Sequence, residues 1–236
     1  MNTDKTEVRP PGAGWIHAAL PARPARVLDA GCGRGELAAE LIGRGHHVTV
    51  VDASAEAVAA ARAAGVPAVP ADITTYEDEP FEVIVLSLSL HHMHPLEAAL
   101  DRVAALLAPG GRLVVDEFAW DWADEAAAAW FYDTGALLTA AGPAGLPYAP
   151  GIAPIDRWRA AHADHTGGDA MLAALRERFD VRTVRRGPYL ARYLSGKLPP
   201  GAVAGEVAAA LWRIERERLA LGALPATGLQ LLAGQM

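Results

Sequence analysis

Short apolar runs alternate with helical patterns through the first half of the chain, and that alternation sets the expected architecture. Arg26-Val27-Leu28-Asp29 reads as a first strand, and beyond a glycine cluster Leu37, Leu41 and Ile42 recur at helical spacing. Val48-Thr49-Val50-Val51 predicts a second strand. The alanine-rich helix that follows runs from Ser54 to Ala64, with the Ser54 hydroxyl placed to cap its first turn and Gly65 placed to end it. Pro67 to Val69 reads as a short third strand and Phe81 to Leu86 as a fourth, apolar except for Glu82. A helix from Leu96 to Leu107 carries Leu96, Leu100, Val103 and Leu107 on one stripe, and Pro109-Gly110-Gly111 turns into a fifth strand, Arg112-Leu113-Val114-Val115. Apolar strands alternating with helices predict an α/β fold around a parallel sheet covered on both faces.

After Val115 the pattern changes. Trp120, Trp122, Trp130 and Phe131 crowd the stretch from Phe118 to Tyr132, a Gly/Pro-rich passage covers Gly142 to Pro154, and Trp158, His162 and His165 follow. We read 118–165 as a helical insertion after the fifth strand, whose aromatics either form a lid over an acceptor pocket or fill the interface between an extra helix layer and the core. A helix beginning at Asp169 leads into an alternating strand, Phe179 to Val184. The next helix is amphipathic, with Val203, Val207, Leu211, Ile214 and Leu221 expected near one face and Arg213, Glu215, Arg216 and Glu217 near the other. Leu229 to Leu232 reads as a last strand. No repeat or linker divides the pattern, so residues 1–236 are expected to form one domain.

Charge narrows the partners. The 236 residues include 21 Lys+Arg against 28 Asp+Glu, a net charge of −7, and a surface of that sign repels a phosphate backbone. Nucleic acid is therefore a disfavoured partner. The single cysteine, Cys32, can form no internal disulfide, which fits a reducing compartment. Met1 to Glu7 is polar where a secretory signal would be basic and then apolar, and the longest apolar stretches fall short of a membrane span. A cytoplasmic protein without a membrane partner is expected, with monomer and homodimer both open.

Candidate chemistry gathers in Val27-Leu28-Asp29-Ala30-Gly31-Cys32-Gly33-Arg34-Gly35, where a strand gives way to a helix. Alternate glycines let the backbone turn tightly and approach a ligand, and the helix start offers unpaired N–H groups. A dinucleotide fingerprint would need glycine where Glu36 stands. G-x-G-x-G preceded by an acid instead resembles motif I of the class I S-adenosylmethionine-dependent methyltransferases. Asp52, which ends the second strand 17 residues past Gly35, Ala71-Asp72-Ile73 after the third strand, and the turn Leu107 to Leu113 extend that resemblance over residues 25–117.

The resemblance implies a doubly wound, Rossmann-like sheet, mostly parallel with an antiparallel last strand. It makes 25–117 the cofactor-binding core and S-adenosyl-L-methionine the cofactor. Gly31, Gly33 and Gly35, with Cys32 between them, would form the cofactor loop, and Asp29 would bond the loop backbone or the cofactor's amino end. Asp52, with Ala53 beside it, would grip the ribose, Asp72 and Ile73 would meet the adenine, and Ser87 would face the cofactor from the end of the fourth strand. As plain structure, the same glycines make a tight turn and Asp52 caps the next helix.

The acceptor side is expected at the carboxyl ends of the strands. His91, His92 and Glu117 lie just past the fourth and fifth strands and are candidate general bases, since an acceptor hydroxyl must lose a proton as it attacks. Paired histidines at this place in similar methyltransferases alternatively pack beneath the cofactor's methionine moiety or cap the next helix. Neighbours on an extended segment point to opposite sides, so His91, His92 and His94 are not expected to converge on a metal, which methyl transfer does not require. Trp15, His17 and Tyr148 are candidates for closing the pocket. The implied function is methyl transfer to a small-molecule O, N or C nucleophile. Its rivals are a cofactor-binding member that does not methylate, such as a sensor or sulfonium-assisted cyclase, and an RNA or protein methyltransferase.

Overall fold

Alternation within each strand decides which face of the sheet its side chains cover. The computed structural model of the protein describes residues 11–142, 150–199 and 201–236, and its central strands are buried almost throughout, as β1 and β4 show, because both faces of the sheet are covered. After α1 (Pro11–Ala19) the chain runs through β1 (Arg26–Ala30), α2 (Glu36–Gly43), β2 (His47–Asp52), α3 (Ala55–Ala63), β3 (Ala68–Pro70), β4 (Phe81–Ser87), α4 (Leu96–Leu106) and β5 (Leu107–Phe118). Then come α5 (Glu125–Ala141), α6 (Pro154–Ala161), α7 (Gly168–Arg178), β6 (Phe179–Gly187), α8 (Leu190–Ser195), α9 (Ala202–Ala220) and β7 (Gly228–Gln235).

The described strands form one sheet in the order β3-β2-β1-β4-β5-β7-β6. The pairings of β1 with β2 and β4, of β2 with β3 and of β4 with β5 are parallel, and β7 lies antiparallel to β5. Leu28, Ala30, Ile84, Leu86, Leu113 and Val115 point to one face, where α4 and α7 contribute Leu100, Val103, Met171 and Leu175. Val27, Val83, Val85 and Val114 point to the other, covered by Ile16 of α1, Leu41 of α2 and Val58 of α3. The doubly wound, mostly parallel sheet with an antiparallel last strand is as expected.

Several local expectations also hold. Ser54 caps α3 by accepting from Ala57 N at 3.3 Å, and Gly65 follows the helix at φ 82°. β5 starts earlier than the Pro109-Gly110-Gly111 turn implied: it begins at Leu107, and the turn is an irregularity within the strand, with Gly110 at φ 73° and a register shift opposite Phe81 and Val83.

Contacts divide the chain into two compact units. The sheet unit comprises Trp15–Ala119, Asp164–Arg186 and Gly228–Met236; the helical unit is built mainly from Trp120–Ala163 and Gly187–Thr227. The helical unit thus draws on two separate stretches of the chain, one after β5 and one after β6. Within the helical unit the aromatics pack on one another: Phe131 lies 5.1 Å from Trp158 and 5.0 Å from Tyr193 between ring centroids, and Phe131 and Trp158 are buried.

The expected face of α9 is corrected. Val203, Ile214 and Leu221 are exposed, whereas Leu211, Trp212 and Glu215 are buried. Glu215 belongs inside because it accepts from the N–H groups of Tyr189, Leu190 and Ala191 at 2.9, 3.0 and 2.8 Å, capping the start of α8. A carboxylate can sit in a core when backbone donors replace its water.

Candidate active site

Loops that leave the carboxyl ends of parallel strands meet at the point where strand order reverses, here between β1 and β4. A cavity of about 320 Å3 opens there in the sheet unit. Gly31 and Gly33 line it from the loop after β1, Asp52 and Ala53 from the end of β2, Asp72 and Ile73 from the segment after β3. Leu88, Ser89, His92, Met93 and His94 supply the wall that follows β4.

Each glycine of the loop has its own reason. Gly31, at φ 79°, bonds through its N–H to Val51 O at 2.7 Å, and a Cβ there would collide with the Ser89 side chain. Gly33, at φ 53°, would carry a Cβ into open space. Gly35 does not line the cavity; it is the left-handed residue before α2, and a Cβ on it would meet Ala61 of α3 at 3.0 Å.

Acids shape the rest of the loop. Asp52 accepts from Gly33 N at 3.0 Å with one oxygen and from Ser54 N at 2.8 Å with the other, so one carboxylate joins the glycine loop to the start of α3. Asp72 accepts from the N–H and hydroxyl of Thr74, both at 2.8 Å. Asp29 lies behind the loop, buried, and does not line the cavity. Its Oδ2 has no hydrogen-bond partner among the described residues, and burial, with the charge of Asp52 adding, pushes its pKa up to about 7. Cys32 also stands outside the lining; burial, then Asp29 and Asp52, push its thiol up to about 12, which leaves it protonated and unreactive.

On the opposite wall, the histidines sit on a 3₁₀ turn, Leu90–His92, rather than the extended segment expected, and this brings their rings together. Ring centroids of His91 and His92 are 4.0 Å apart. His92 lines the cavity, whereas His91 is buried with Nδ1 2.6 Å from Oε2 of Glu117. Glu117 is buried too, and accepts from Ser89 N at 2.7 Å and Leu90 N at 2.5 Å. It faces the turn and not the cavity.

Ser87, the expected contact at this end of β4, does not line the cavity; Ser89 does, with a buried Oγ that has no partner among the described residues. The displacement comes from Leu88, at φ 55°, whose left-handed backbone redirects the chain. Trp15 and His17 do not close this site. Arg185 lies over the Trp15 ring at 5.1 Å, and His17 Nε2 is 3.2 Å from Glu40 of α2. Tyr148 lies outside the described residues. Thr74 and Met93 also line the cavity without having been singled out, and Asp72-Ile73-Thr74 is the local pattern that could have revealed the first.

Comparison with known proteins bears on the same region. A family model described as a methyltransferase domain matches residues 9–165. Over 110 residues the chain is 36% identical to a ubiquinone biosynthesis O-methyltransferase of Xylella fastidiosa, a match covering 43% of this chain and 45% of that protein. An uncharacterized methyltransferase of Mycobacterium bovis is 39% identical over 109 residues, covering 44% of this chain and 55% of the relative. The chain therefore spans about half the length of the curated relatives it matches. Among solved structures, the 1,6-didemethyltoxoflavin-N1-methyltransferase of Burkholderia thailandensis, with 1,6-didemethyltoxoflavin and S-adenosylhomocysteine bound, aligns with TM-score 0.53 and 26% identity over 99% of this chain and 80% of that one. The glycine loop, the strand order and the family match converge: the chain belongs to the methyltransferase domain family, with the class I S-adenosylmethionine-dependent fold.

Proposed function

We propose that the chain transfers a methyl group from S-adenosylmethionine to an O, N or C nucleophile of a small molecule. The observation that carries this reading is the cavity at the β1/β4 switch point, whose lining fits the cofactor part by part. Gly31 turns the loop at the cavity floor against the Ser89 wall, Ser89 offers a buried hydroxyl without a partner among the described residues, and the carboxylates of Asp52 and Asp72 present acceptors for hydroxyl and amino groups. Val51, Ala71 and Ile73 supply apolar surface for a purine. In this reading Asp52 holds the ribose, Asp72 and Ile73 the adenine, and Asp29 steadies the loop from behind.

The cofactor supplies a sulfonium-bound methyl that is already strongly electrophilic, so the protein's part is chiefly orientation and exclusion of water. Among the three candidate bases, His92 is the one at the cavity wall, where its neutral ring is placed to accept a hydrogen bond from an acceptor hydroxyl and orient it. Glu117, with its oxygens engaged by Ser89, Leu90 and His91, positions that wall rather than reacting. A small-molecule acceptor agrees with the net charge of −7 and with the names of the relatives.

Mass balance tests the proposal. Incubation with S-adenosylmethionine and a panel of phenols, enols and amines should yield S-adenosylhomocysteine in step with a product one methylene heavier. Turnover of an acceptor without S-adenosylhomocysteine would replace methyl transfer with a non-methylating role, and thermal stabilisation by NAD but not by S-adenosylhomocysteine would overturn the cofactor assignment.

A further inference from the structure

Behind the cavity wall stands a third histidine from a distant part of the chain. His165, just before α7, lies 4.4 Å from His92 and 5.0 Å from His91 between ring centroids, closing a triangle whose remaining side is 4.0 Å. Contacts on either side of it in sequence hold it there: Thr166 N donates to His91 O at 2.9 Å, and the His94 ring Nε2 lies 3.0 Å from Asp164 O.

We infer that His165 is a positioning residue for the proposed cofactor cavity: packed against His91 and His92, it keeps the His92 ring of the wall fixed and uncharged, so that the cavity admits a sulfonium cation even in mildly acid solution. Three imidazoles this close cannot all gain protons, because each charge raises the cost of the next. Burial first, and then His91 and His165, push the pKa of His92 down to about 4, with His94 acting the same way and Glu117 opposing. His165 is itself lowered by burial, His91 and His94, against Asp164 and Glu117. Asp52 and Asp72 are the other charged groups lining the cavity. The inference rests on the cofactor reading above. S-adenosylmethionine and S-adenosylhomocysteine differ by the methyl group and the positive charge on sulfur, so a charged His92 would penalise the first alone.

The test compares affinities for the two ligands by calorimetric titration from about pH 8 to about pH 5.5, in wild type, His165→Asn and His165→Gln. Removing His165 uncovers one side of the His92 ring and takes away one of its cationic neighbours, while burial and His91 remain, so the His92 pKa should rise, and toward the acid end of that range the variants should lose affinity for S-adenosylmethionine relative to S-adenosylhomocysteine by about threefold more than wild type does. Adding His92→Asn to His165→Asn should restore the wild-type ratio, because His94 is common to all the proteins. NMR titration of the His92 ring should show the same upward shift without any ligand. Variants that bind both ligands in the wild-type ratio, with the His92 titration unmoved, would overturn the inference alone. Wild type binding neither ligand would overturn the cofactor reading and this inference with it.

Discussion

Oε2 of Glu117 lies 2.6 Å from Nδ1 of His91, while its other oxygen holds the backbone of Ser89 and Leu90. One buried carboxylate from the end of β5 thus sets the conformation of the turn after β4. Glu117→Ala would strand two N–H groups and the imidazole of His91, at a cost of about 3 kcal/mol or more. Urea unfolding should register that loss, and S-adenosylhomocysteine affinity should fall with it. Glu117→Gln, which keeps one acceptor, should recover part of both. A loss in the alanine variant below about 1 kcal/mol would show that the turn holds its shape without the carboxylate.

Asp52 serves the loop and the proposed ribose contact together. Asp52→Ala should weaken S-adenosylmethionine binding by at least about tenfold, with circular dichroism unchanged, because the lost backbone contacts are exposed ones. Unchanged affinity in a calorimetric titration would remove the ribose assignment.

Gly31 and Gly33 both have positive φ, yet their alanine variants should differ. Gly33→Ala carries only backbone strain, about 1 kcal/mol. Gly31→Ala adds a collision with Ser89, so it should melt at a clearly lower temperature and lose cofactor binding. Equal melting temperatures would contradict the close approach of Gly31 to the Ser89 wall.

Asp29 makes stability depend on pH in a definite direction. Its folded pKa of about 7 lies above the ordinary value of 3.8. The group's contribution is therefore full below about pH 4 and is lost as pH rises toward about 7, where a buried charge must form, a change on the order of a few kcal/mol. Asp29→Asn should remove that slope, gaining on wild type as pH rises. Parallel unfolding curves for the two proteins across that range would show that Asp29 ionises freely in the fold.

Where neighbours in sequence are also neighbours in space, the chain is readable. Ser54 reaches its own helix, the glycine loop bonds to the strand beside it, and the apolar runs of β1, β2 and β4 need only each other. Reading fails where burial depends on a distant partner. Glu215 looks like a surface residue until the start of α8 is set against it, and Val203 and Leu221 look like core although both stay exposed among the described residues. The stretch from Val203 to Leu221 reads as one more amphipathic helix because nothing local marks a second departure from the sheet unit. At the site, Ser89 was missed for Ser87 because the left-handed backbone of Leu88 has no residue-type signature, and His165 was invisible because 73 residues separate it from His92.

In the sheet, β7 lies between β5 and β6 although it follows both in the sequence. Strands therefore leave the ribosome in an order different from the one in which they can pair. Until Gly228–Gln235 emerges, β6 has no neighbour and β5 presents an open row of backbone donors and acceptors. A nascent chain at that stage carries two open strand edges, and β6 brings to its own edge arginines at 182, 185 and 186, charges of the kind that disfavour pairing with another molecule's strand.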